Sequence, residues 1–154
     1  MPDGLRMVEV TGPLLAPDVR ELLSLLAWKG TVDELQRIAR PYISGEGRLF
    51  VLEPHGAGRD HVGAVSCVGV IGEGEGPVEV RSLATLPSQR NRGLARRLVG
   101  EVASHLHAQE LFAETDGGAV GFYRAAGFNV RSLGEKHPGV ERFACTWRAE
   151  GSET

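Results

Sequence analysis

The stretch from residue 78 to residue 98 constrains the fold of this 154-residue chain more than any other. Its first part, Val78–Leu86, is mostly apolar and suits a buried strand. A polar loop with Arg90, Arg92 and Gly93 follows. Apolar side chains then recur at every fourth position, at Leu94, Leu98, Val102 and Leu106. This spacing puts them on one face of a helix, so the stretch predicts a strand, a tight loop and a helix in succession.

The loop between this strand and this helix is a candidate phosphate site. The first backbone N–H groups of a helix have no partner inside the helix, and the helix dipole favours a negative charge there. Gly93 allows the backbone to approach a ligand closely because it has no side chain. The chain contains neither the G-x-x-x-x-G-K-[ST] motif of nucleotide P-loops nor the G-x-G-x-x-G motif of dinucleotide sites, so a different phosphate ligand is indicated.

Two sequence blocks indicate that ligand by resemblance to a known family. Residues 90–95, R-N-R-G-L-A, match the pattern [RQ]-x-x-G-x-[GA]. This pattern forms the loop that binds the pyrophosphate of coenzyme A in the GNAT superfamily of acyl-CoA N-acyltransferases. Residues 83–87, L-A-T-L-P, resemble the family's strand before that loop, and residues 122–128, F-Y-R-A-A-G-F, resemble its later F-Y-x-x-x-G-F block. The chain therefore resembles GNAT proteins, closely in its second half and in outline in its first.

The order of predicted elements, β-α-α-β-β-β-α-β-α-β-β, agrees with the fold that this resemblance implies. We expect residues 1–154 to form a single α/β (α+β) domain with the GNAT fold. This fold has a mixed central sheet of about seven strands, about four helices, and central strands that splay apart. In detail, we expect Pro41 to end the second helix, a strand from His61 to Ile71 and a polar loop from Gly134 to Glu141. We also expect a hairpin connection over residues 72–77 and a frayed tail over residues 150–154.

The resemblance implies that acetyl-CoA is the acyl donor and that its pantetheine arm enters between the splayed strands. Backbone groups of Leu83 and Thr85 would bind this arm, and the amides of residues 91–95 would bind the pyrophosphate. The full set of expected cofactor-binding residues is Leu83, Ala84, Thr85, Arg90, Asn91, Arg92, Gly93, Leu94, Ala95, Asp116 and Phe122. Asp116 departs from the family pattern, which often has asparagine there. An ionised aspartate side chain cannot donate a hydrogen bond, and capping of the following helix is the alternative role.

Tyr123 is the expected general acid, because it stands where the family has its active-site tyrosine. A phenol with a pKa of about 10 is protonated at neutral pH and can donate to a departing thiolate. The alternative is a half-buried tyrosine that only packs its ring. Glu79 is the expected general base, since it lies four residues before Leu83, a spacing found in some histone-acetylating members of the family. The alternative for Glu79 is a solvated strand end, with Glu53 and Glu114 as other candidate bases.

Other residues and the composition limit the remaining possibilities. Cys67 and Cys145 have no neighbouring base in sequence, which disfavours an acyl-cysteine route, and no metal site is expected. A net charge of −3 argues against nucleic-acid binding despite the local arginine cluster. The longest apolar run, Val62–Ile71, is too short to span a bilayer, so we expect a cytoplasmic protein without membrane contact. We expect Trp28 and Trp147 to be packing residues, and His55 and His61 to lie at the surface.

The sequence thus predicts an N-acetyltransferase that moves an acetyl group from acetyl-CoA to a primary amine, by direct attack and without an acyl-enzyme. A small-molecule acceptor is favoured. Transfer to a protein N-terminus or lysine is the alternative within the enzyme class, and a CoA-binding sensor without catalysis is the alternative outside it. A homodimer is possible. The identity of the acceptor and the length of the acyl group stay open at this point.

Overall fold

The structure, a computed structural model, describes residues 4–11, 15–72 and 76–149. These residues contain a seven-stranded sheet and four α-helices. The strands are β1 (Leu5–Val10), β2 (Gly47–Pro54), β3 (Ser66–Ile71), β4 (Val78–Thr85), β5 (Glu110–Asp116), β6 (Asn129–His137) and β7 (Val140–Arg148). The helices are α1 (Pro17–Ser24), α2 (Val32–Ser44), α3 (Leu94–Leu106) and α4 (Val120–Ala125). Both the fold class and the predicted order of elements are confirmed.

The two central strands separate after a short paired segment, as the fold class predicts. Strand order in the sheet is β1-β2-β3-β4-β5-β7-β6. All neighbours are antiparallel except β4 and β5, which run parallel. Their pairing is limited to Val78 with Leu111 and Glu79 with Phe112. From residue 80 onward β4 has a partner only on its β3 side, so one of its edges faces a gap.

A β-bulge accounts for this separation. Gly69 of β3 pairs with Ser82, whereas the next residue, Val70, pairs with Val80. Arg81 is therefore an extra residue in β4 without a partner in β3. A bulge bends its strand and increases the local twist. This one lies two residues beyond Glu79, the last residue of β4 that pairs with β5, and so turns β4 away from β5 where the gap begins.

Helices cover both faces of the sheet. The apolar face of α3 is buried on one side, together with α4. Helices α1 and α2 cover the other side and contact β2, β3 and β4. The α3 residues that pack into the sheet are the ones with helical spacing in the sequence, at Leu94, Leu98, Val102 and Leu106, and all four are buried. Burial of this periodic face fixes the loop before α3 at the end of β4.

Helix α2 begins as predicted but continues past Pro41, so the prediction that Pro41 ends it is wrong. The hydroxyl of Thr31 accepts the N–H of Glu34 at 3.2 Å and caps the first turn. Proline removes one helical hydrogen bond. The turn after it is nevertheless held, because Tyr42 is buried and its hydroxyl lies 2.6 Å from that of Ser82 in β4. The helix ends at Ser44, before Gly45 with a φ of 87°.

Two predicted boundaries in the strands are also wrong. Strand β3 starts at Ser66 rather than His61, because His61 has a φ of 53° in a turn and Gly63 donates its N–H to Asp18 at 2.8 Å. The segment 134–141 is not a loop. It continues β6 and β7 to a turn at residues 138–139, and its polar side chains are mostly exposed on the hairpin. The predicted hairpin connection includes residues 73–75, which, like the tail at 150–154, lie outside the described residues.

Candidate functional site

Two cavities meet at the gap between β4 and β5. The loop cavity has a volume of about 520 Å³ and is lined by Thr85, Gln89, Arg90, Asn91, Gly93, Leu94, Ala95, Gly118, Gly121, Phe122 and Ala125. The tyrosine cavity has a volume of about 380 Å³. It is lined by Leu25, Leu26, Ala27, Trp28, Arg37, Ile38, Pro41, Arg81, Ser82, Glu114, Thr115, Asp116, Gly118, Ala119 and Tyr123. Gly118 belongs to both, so the two cavities adjoin at the turn between β5 and α4.

The loop cavity opens on the start of α3. Gly93 precedes the helix with a φ of 72°, and no side chain of the described residues caps the first turn. The first N–H groups of α3 therefore have the positive end of a helix dipole and no side-chain partner. A Cβ built on Gly93 meets no protein atom within 4 Å. The positive φ at residue 93 favours glycine there. That this glycine also lets the backbone approach a ligand closely stays a prediction.

The two arginines of the loop have different positions. The Nε of Arg90 donates to the carbonyl oxygen of Thr85 at 3.1 Å, and its guanidinium carbon lies 4.8 Å from the centre of the Phe122 ring. Arg90 thus ties the loop to the end of β4 and to α4. Arg92 donates to the side-chain oxygen of Gln89 at 2.5 Å and does not line the cavity. Of the predicted binding arginines, only Arg90 lies at the cavity wall.

The gap-facing edge of β4 presents alternate backbone groups. The N–H of Leu86 donates to the carbonyl of Val65 at 2.9 Å, and the carbonyl of Ala84 accepts the Ser66 hydroxyl at 3.0 Å. Residues 84 and 86 therefore direct their backbone groups towards β3. Because direction alternates along a strand, the backbone groups of Leu83 and Thr85 point towards the gap. Both side chains are buried, so a ligand can reach only the backbone of these residues, and the carbonyl of Thr85 already accepts the Nε–H of Arg90.

Asp116 holds the turn between the two cavities. One carboxylate oxygen accepts the N–H of Gly118 at 2.9 Å and that of Ala119 at 3.3 Å. The other accepts the indole N–H of Trp28 at 3.1 Å. Both oxygens are thus engaged within the turn, but the N-cap of α4 is Ala119 and no side chain of the described residues caps this helix, so the alternative role of a helix cap is wrong. The prediction that Trp28 is a packing residue is wrong, because its side chain is 70% exposed. Trp147 does pack against the core.

Tyr123 lies in the wall of the tyrosine cavity. Its ring packs edge-on against Phe128, with 5.2 Å between ring centres, and the residue is only 3% exposed. No hydrogen bond to its hydroxyl is found within the described residues, and none of their buried side-chain oxygens is left without a partner. The hydroxyl is therefore open to the cavity. Burial raises the pKa of Tyr123, with smaller contributions from neighbours that include Glu79. The phenol is protonated at neutral pH and has its hydrogen free to donate.

The three carboxylates proposed as base have distinct surroundings. Glu79 lines neither cavity and accepts two hydrogen bonds from Arg81, at 2.9 and 3.3 Å. Glu114 lines the tyrosine cavity, and its hydrogen bond from Arg142 is the main cause of its lowered pKa. Glu53 is 1% exposed and lies 2.6 Å from the ring of His61. The expectation of a surface His61 is therefore wrong, and Glu53 is held in a buried pair away from both cavities.

Neither cysteine has the surroundings of a nucleophile. Cys67 and Cys145 are both free and buried. Burial raises the pKa of the Cys67 thiol to about 12 and also raises that of Cys145. Since the thiolate is the reactive form, both groups are unreactive at neutral pH.

Two other features of residues 4–11, 15–72 and 76–149 bear on function. No group of three or more His, Cys, Asp and Glu side chains in these ranges could hold a metal ion. None of the helices that they form combines the length and the apolar character needed to cross a bilayer.

Sequence reasoning missed most of the tyrosine cavity. In the loop cavity it missed Gln89, Gly118, Gly121 and Ala125. Of these, Gln89 directly precedes the matched motif, and the small residues lie at or near α4, so proximity to the motifs was a usable signal. The lining residues from α2 and from the segment between α1 and α2, such as Trp28 and Arg37, carry no recognisable motif. The packing of α1 on β4 and the contact between Tyr42 of α2 and Ser82 of β4 bring these elements to the site.

A family model described as the acetyltransferase (GNAT) domain matches residues 45–130, more than half of the chain. The matched segment runs from the turn before β2 to the start of β6 and includes the loop before α3 and all of α4. No curated protein is significantly similar to the chain in sequence.

Solved structures with the same fold include acetyltransferases of several kinds. A GNAT family acetyltransferase from Elizabethkingia anophelis with acetyl-CoA bound is 16% identical, with a TM-score of 0.62 over 95% of this chain and 99% of that one. An aminoglycoside 6'-N-acetyltransferase complexed with coenzyme A is 14% identical, with a TM-score of 0.66 over 93% and 96%. Mutant forms of the spermidine/spermine N-acetyltransferase SpeG from Vibrio cholerae are 16% identical, with a TM-score of 0.58 over 95% of both chains. At these identities the likeness shows the fold.

Proposed function

The chain belongs to the GNAT acetyltransferase family, and from this premise we propose that it transfers the acetyl group of acetyl-CoA to a primary amine of a small molecule. The observation that carries the proposal is the pair of cavities that adjoin at Gly118 beside the β4–β5 gap. One cavity has the features of a phosphate site, and the other has an open tyrosine hydroxyl. An acyl group that crosses from one cavity to the other passes that hydroxyl.

In this proposal the loop cavity binds the donor. The amides of residues 91–95 at the start of α3 hold the pyrophosphate, helped by the helix dipole and by the positive charge of Arg90. The pantetheine arm lies along the free edge of β4 and bonds to the backbone of Leu83 and Thr85, as an added strand would. The acetyl-CoA in the Elizabethkingia anophelis relative and the coenzyme A in the aminoglycoside acetyltransferase support this choice of donor.

The proposed reaction is a direct attack. The nitrogen of the neutral amine attacks the thioester carbonyl carbon, so that a C–N bond forms and the C–S bond breaks. Glu79 accepts the proton that the ammonium form of the acceptor loses before attack, and Tyr123 donates its hydroxyl proton to the departing thiolate. The second proton, which the attacking nitrogen loses on becoming an amide, restores the tyrosine hydroxyl. Because burial raises the pKa of Tyr123, its hydroxyl keeps its proton at neutral pH until the thiolate departs. Glu79 is the last residue of β4 that pairs with β5, so it lies where the gap begins.

The absence of an acyl-enzyme is part of the proposal. It is supported by the burial and the raised pKa values of Cys67 and Cys145. A protein incubated with acetyl-CoA alone should keep its unmodified intact mass, and the double substitution of both cysteines by alanine should preserve turnover. An acetylated protein that passes its acetyl group to an amine would contradict the direct route.

The size of the tyrosine cavity supports a small acceptor. A volume of about 380 Å³ is within the range of small-molecule sites. Its wall is formed in part by the segment after α1 and by α2, which cover one side. An aminoglycoside and spermidine or spermine are named for two relatives with the same fold, and both are small amines.

The test is acetyl-CoA-dependent thiol release with a panel of small primary amines and, in parallel, short peptides with free N-termini or lysines. We expect release with small amines, together with an acetylated amine product detected by mass spectrometry. Release with peptides alone would favour protein acetylation instead. Acetyl-CoA binding without release for any member would indicate a sensor and would contradict the proposed enzyme.

A further inference from the structure

Both carboxylates that line the tyrosine cavity have hydrogen-bond donors within the protein, but only Glu114 is paired with cations. The two oxygens of Glu114 face Arg142 at 3.2 Å and Lys136 at 3.5 Å. Asp116 has both of its oxygens engaged by N–H donors, one of them the indole of Trp28. The charge of Glu114 is therefore balanced by two cations, and the oxygens of Asp116 are used to hold the turn before α4.

The cations of the cavity are not equally paired. Arg81 is held by Glu79 through two hydrogen bonds. Arg37 lines the cavity and is exposed, yet no hydrogen bond or ion pair is found for it among the described residues. The nearby Glu34 feels the charge of Arg37, but its carboxylate oxygens accept the backbone N–H groups of residues 28–30, at 2.6 to 3.0 Å. Arg37 thus lines the cavity without a direct hydrogen bond or ion pair in the described chain, although its charge acts on Glu34 without direct contact.

From this pairing we infer that the acceptor carries a carboxylate as well as its amine, and that Arg37 binds this carboxylate. The inference rests on the proposed function, because it assigns the substrate class of the same site. A guanidinium pairs with a carboxylate through two parallel hydrogen bonds, which makes arginine well suited to this group. A diamine would instead bring a second ammonium close to Arg37, and like charges at short distance repel.

The structure also explains how the two ends of such an acceptor are kept apart. Arg37 and Tyr123 belong to different elements, α2 and α4, on opposite faces of the sheet, and they reach the same cavity through the β4–β5 gap. A ligand that spans the cavity has its carboxylate at the α2 wall and its amine at the tyrosine. The net charge of −3 belongs to the whole chain and does not determine the charges that line this cavity.

Three acceptors of equal length test the inference: 5-aminopentanoate, pentylamine and 1,5-diaminopentane. They differ only in whether the far end is negative, neutral or positive. In thiol-release assays with acetyl-CoA, we expect kcat/KM to be highest for 5-aminopentanoate and lowest for the diamine. Arg37→Gln should lower kcat/KM for the carboxylate acceptor about tenfold, mainly through KM, because it removes one charge-assisted pair. Arg37→Glu should reverse the order and favour the diamine.

Arg40→Gln is the matched control. Arg40 lies on the same helix and is also exposed, but it lines a separate groove between α1 and α2. Its substitution should leave the order of the three acceptors unchanged. Preference for the diamine in the unmodified protein, or equal effects of Arg37→Gln and Arg40→Gln, would overturn the inference and leave the proposed acetyltransferase in place. No thiol release with any amine would overturn both.

Discussion

Loss of the hydroxyl group should have opposite effects at the two tyrosines of this chain. Tyr123→Phe removes a hydroxyl that has no partner in the described residues and is open to the cavity. Tyr42→Phe removes a hydroxyl that lies 2.6 Å from that of Ser82. If Tyr123 is the general acid, the first change should affect turnover and spare stability, whereas the second should do the opposite.

The magnitudes follow from these surroundings. A general acid contributes about 10²- to 10⁴-fold, so Tyr123→Phe should lower kcat at least about a hundredfold, or about 3 kcal/mol in the barrier. Its stability should change by less than about 0.5 kcal/mol, since no hydrogen bond is lost and the ring still packs on Phe128. Tyr42→Phe leaves the hydroxyl of Ser82, which is 1% exposed, without this partner. That should cost about 1–3 kcal/mol of the free energy of unfolding and lower Tm by several degrees.

The assay combines thiol release at saturating acetyl-CoA, calorimetric titration of acetyl-CoA, and thermal unfolding for both variants. The acetyl-CoA affinity of Tyr123→Phe should equal that of the unmodified protein, which separates a chemical role from a binding role. The kcat of Tyr42→Phe should stay within about threefold. A Tyr123→Phe protein with kcat within threefold of the unmodified one would refute the reasoning, whatever its stability.

Three further predictions concern the surroundings of the site. Gly69→Ala should cost about 2–4 kcal/mol in urea unfolding, because its Cβ would lie 2.0 Å from the Tyr42 hydroxyl oxygen; a loss below about 0.5 kcal/mol would contradict this packing. The pKa of Glu34 is lowered chiefly by the backbone N–H of Trp28. Its contribution to stability is therefore present above the ordinary glutamate pKa and is lost as the pH falls through the lower pKa of the folded state. Glu34→Gln should therefore flatten the acid limb of Tm against pH, and an unchanged limb would exclude this role. Glu79→Gln should lower kcat/KM and shift the acid limb of the pH–rate profile, and an unshifted profile would remove Glu79 as the base.

The sequence predicts best those parts of the molecule whose structure is determined by the properties of neighbouring residues. The loop at residues 90–95 needs a positive φ at Gly93, and α3 needs a buried apolar face, so both have strong signals in the sequence. The prediction that Pro41 ends α2 is wrong because a tertiary contact of Tyr42 outweighs the local preference of proline. The sequence predicts too short a β6–β7 hairpin. Most of its side chains are exposed and have no hydrophobic period, although its backbone is paired.

The tyrosine cavity depends on packing that no local pattern encodes. Arg37 reaches it on α2, which contacts β4 through Tyr42, and Trp28 reaches it from the segment before α2, where its indole donates to Asp116. Arg81 reaches it because a bulge adds one residue to β4. The buried pair of Glu53 and His61 forms because a turn with unusual backbone angles brings the histidine against β2. Residues of these types at such positions resemble ordinary surface residues in the sequence alone.

The central claim is that the loop before α3 binds acetyl-CoA, and calorimetric titration of two matched variants tests it most directly. Gly93 and Gly139 both have a positive φ, of 72° and 79°, and a Cβ built on either meets no protein atom within 4 Å. Substitution by aspartate should thus strain both backbones alike, but only Gly93→Asp adds a negative charge to the loop cavity. We predict acetyl-CoA binding by the unmodified protein and by Gly139→Asp, and none by Gly93→Asp. No binding by the folded unmodified protein, or equal binding by the two variants, would contradict the claim.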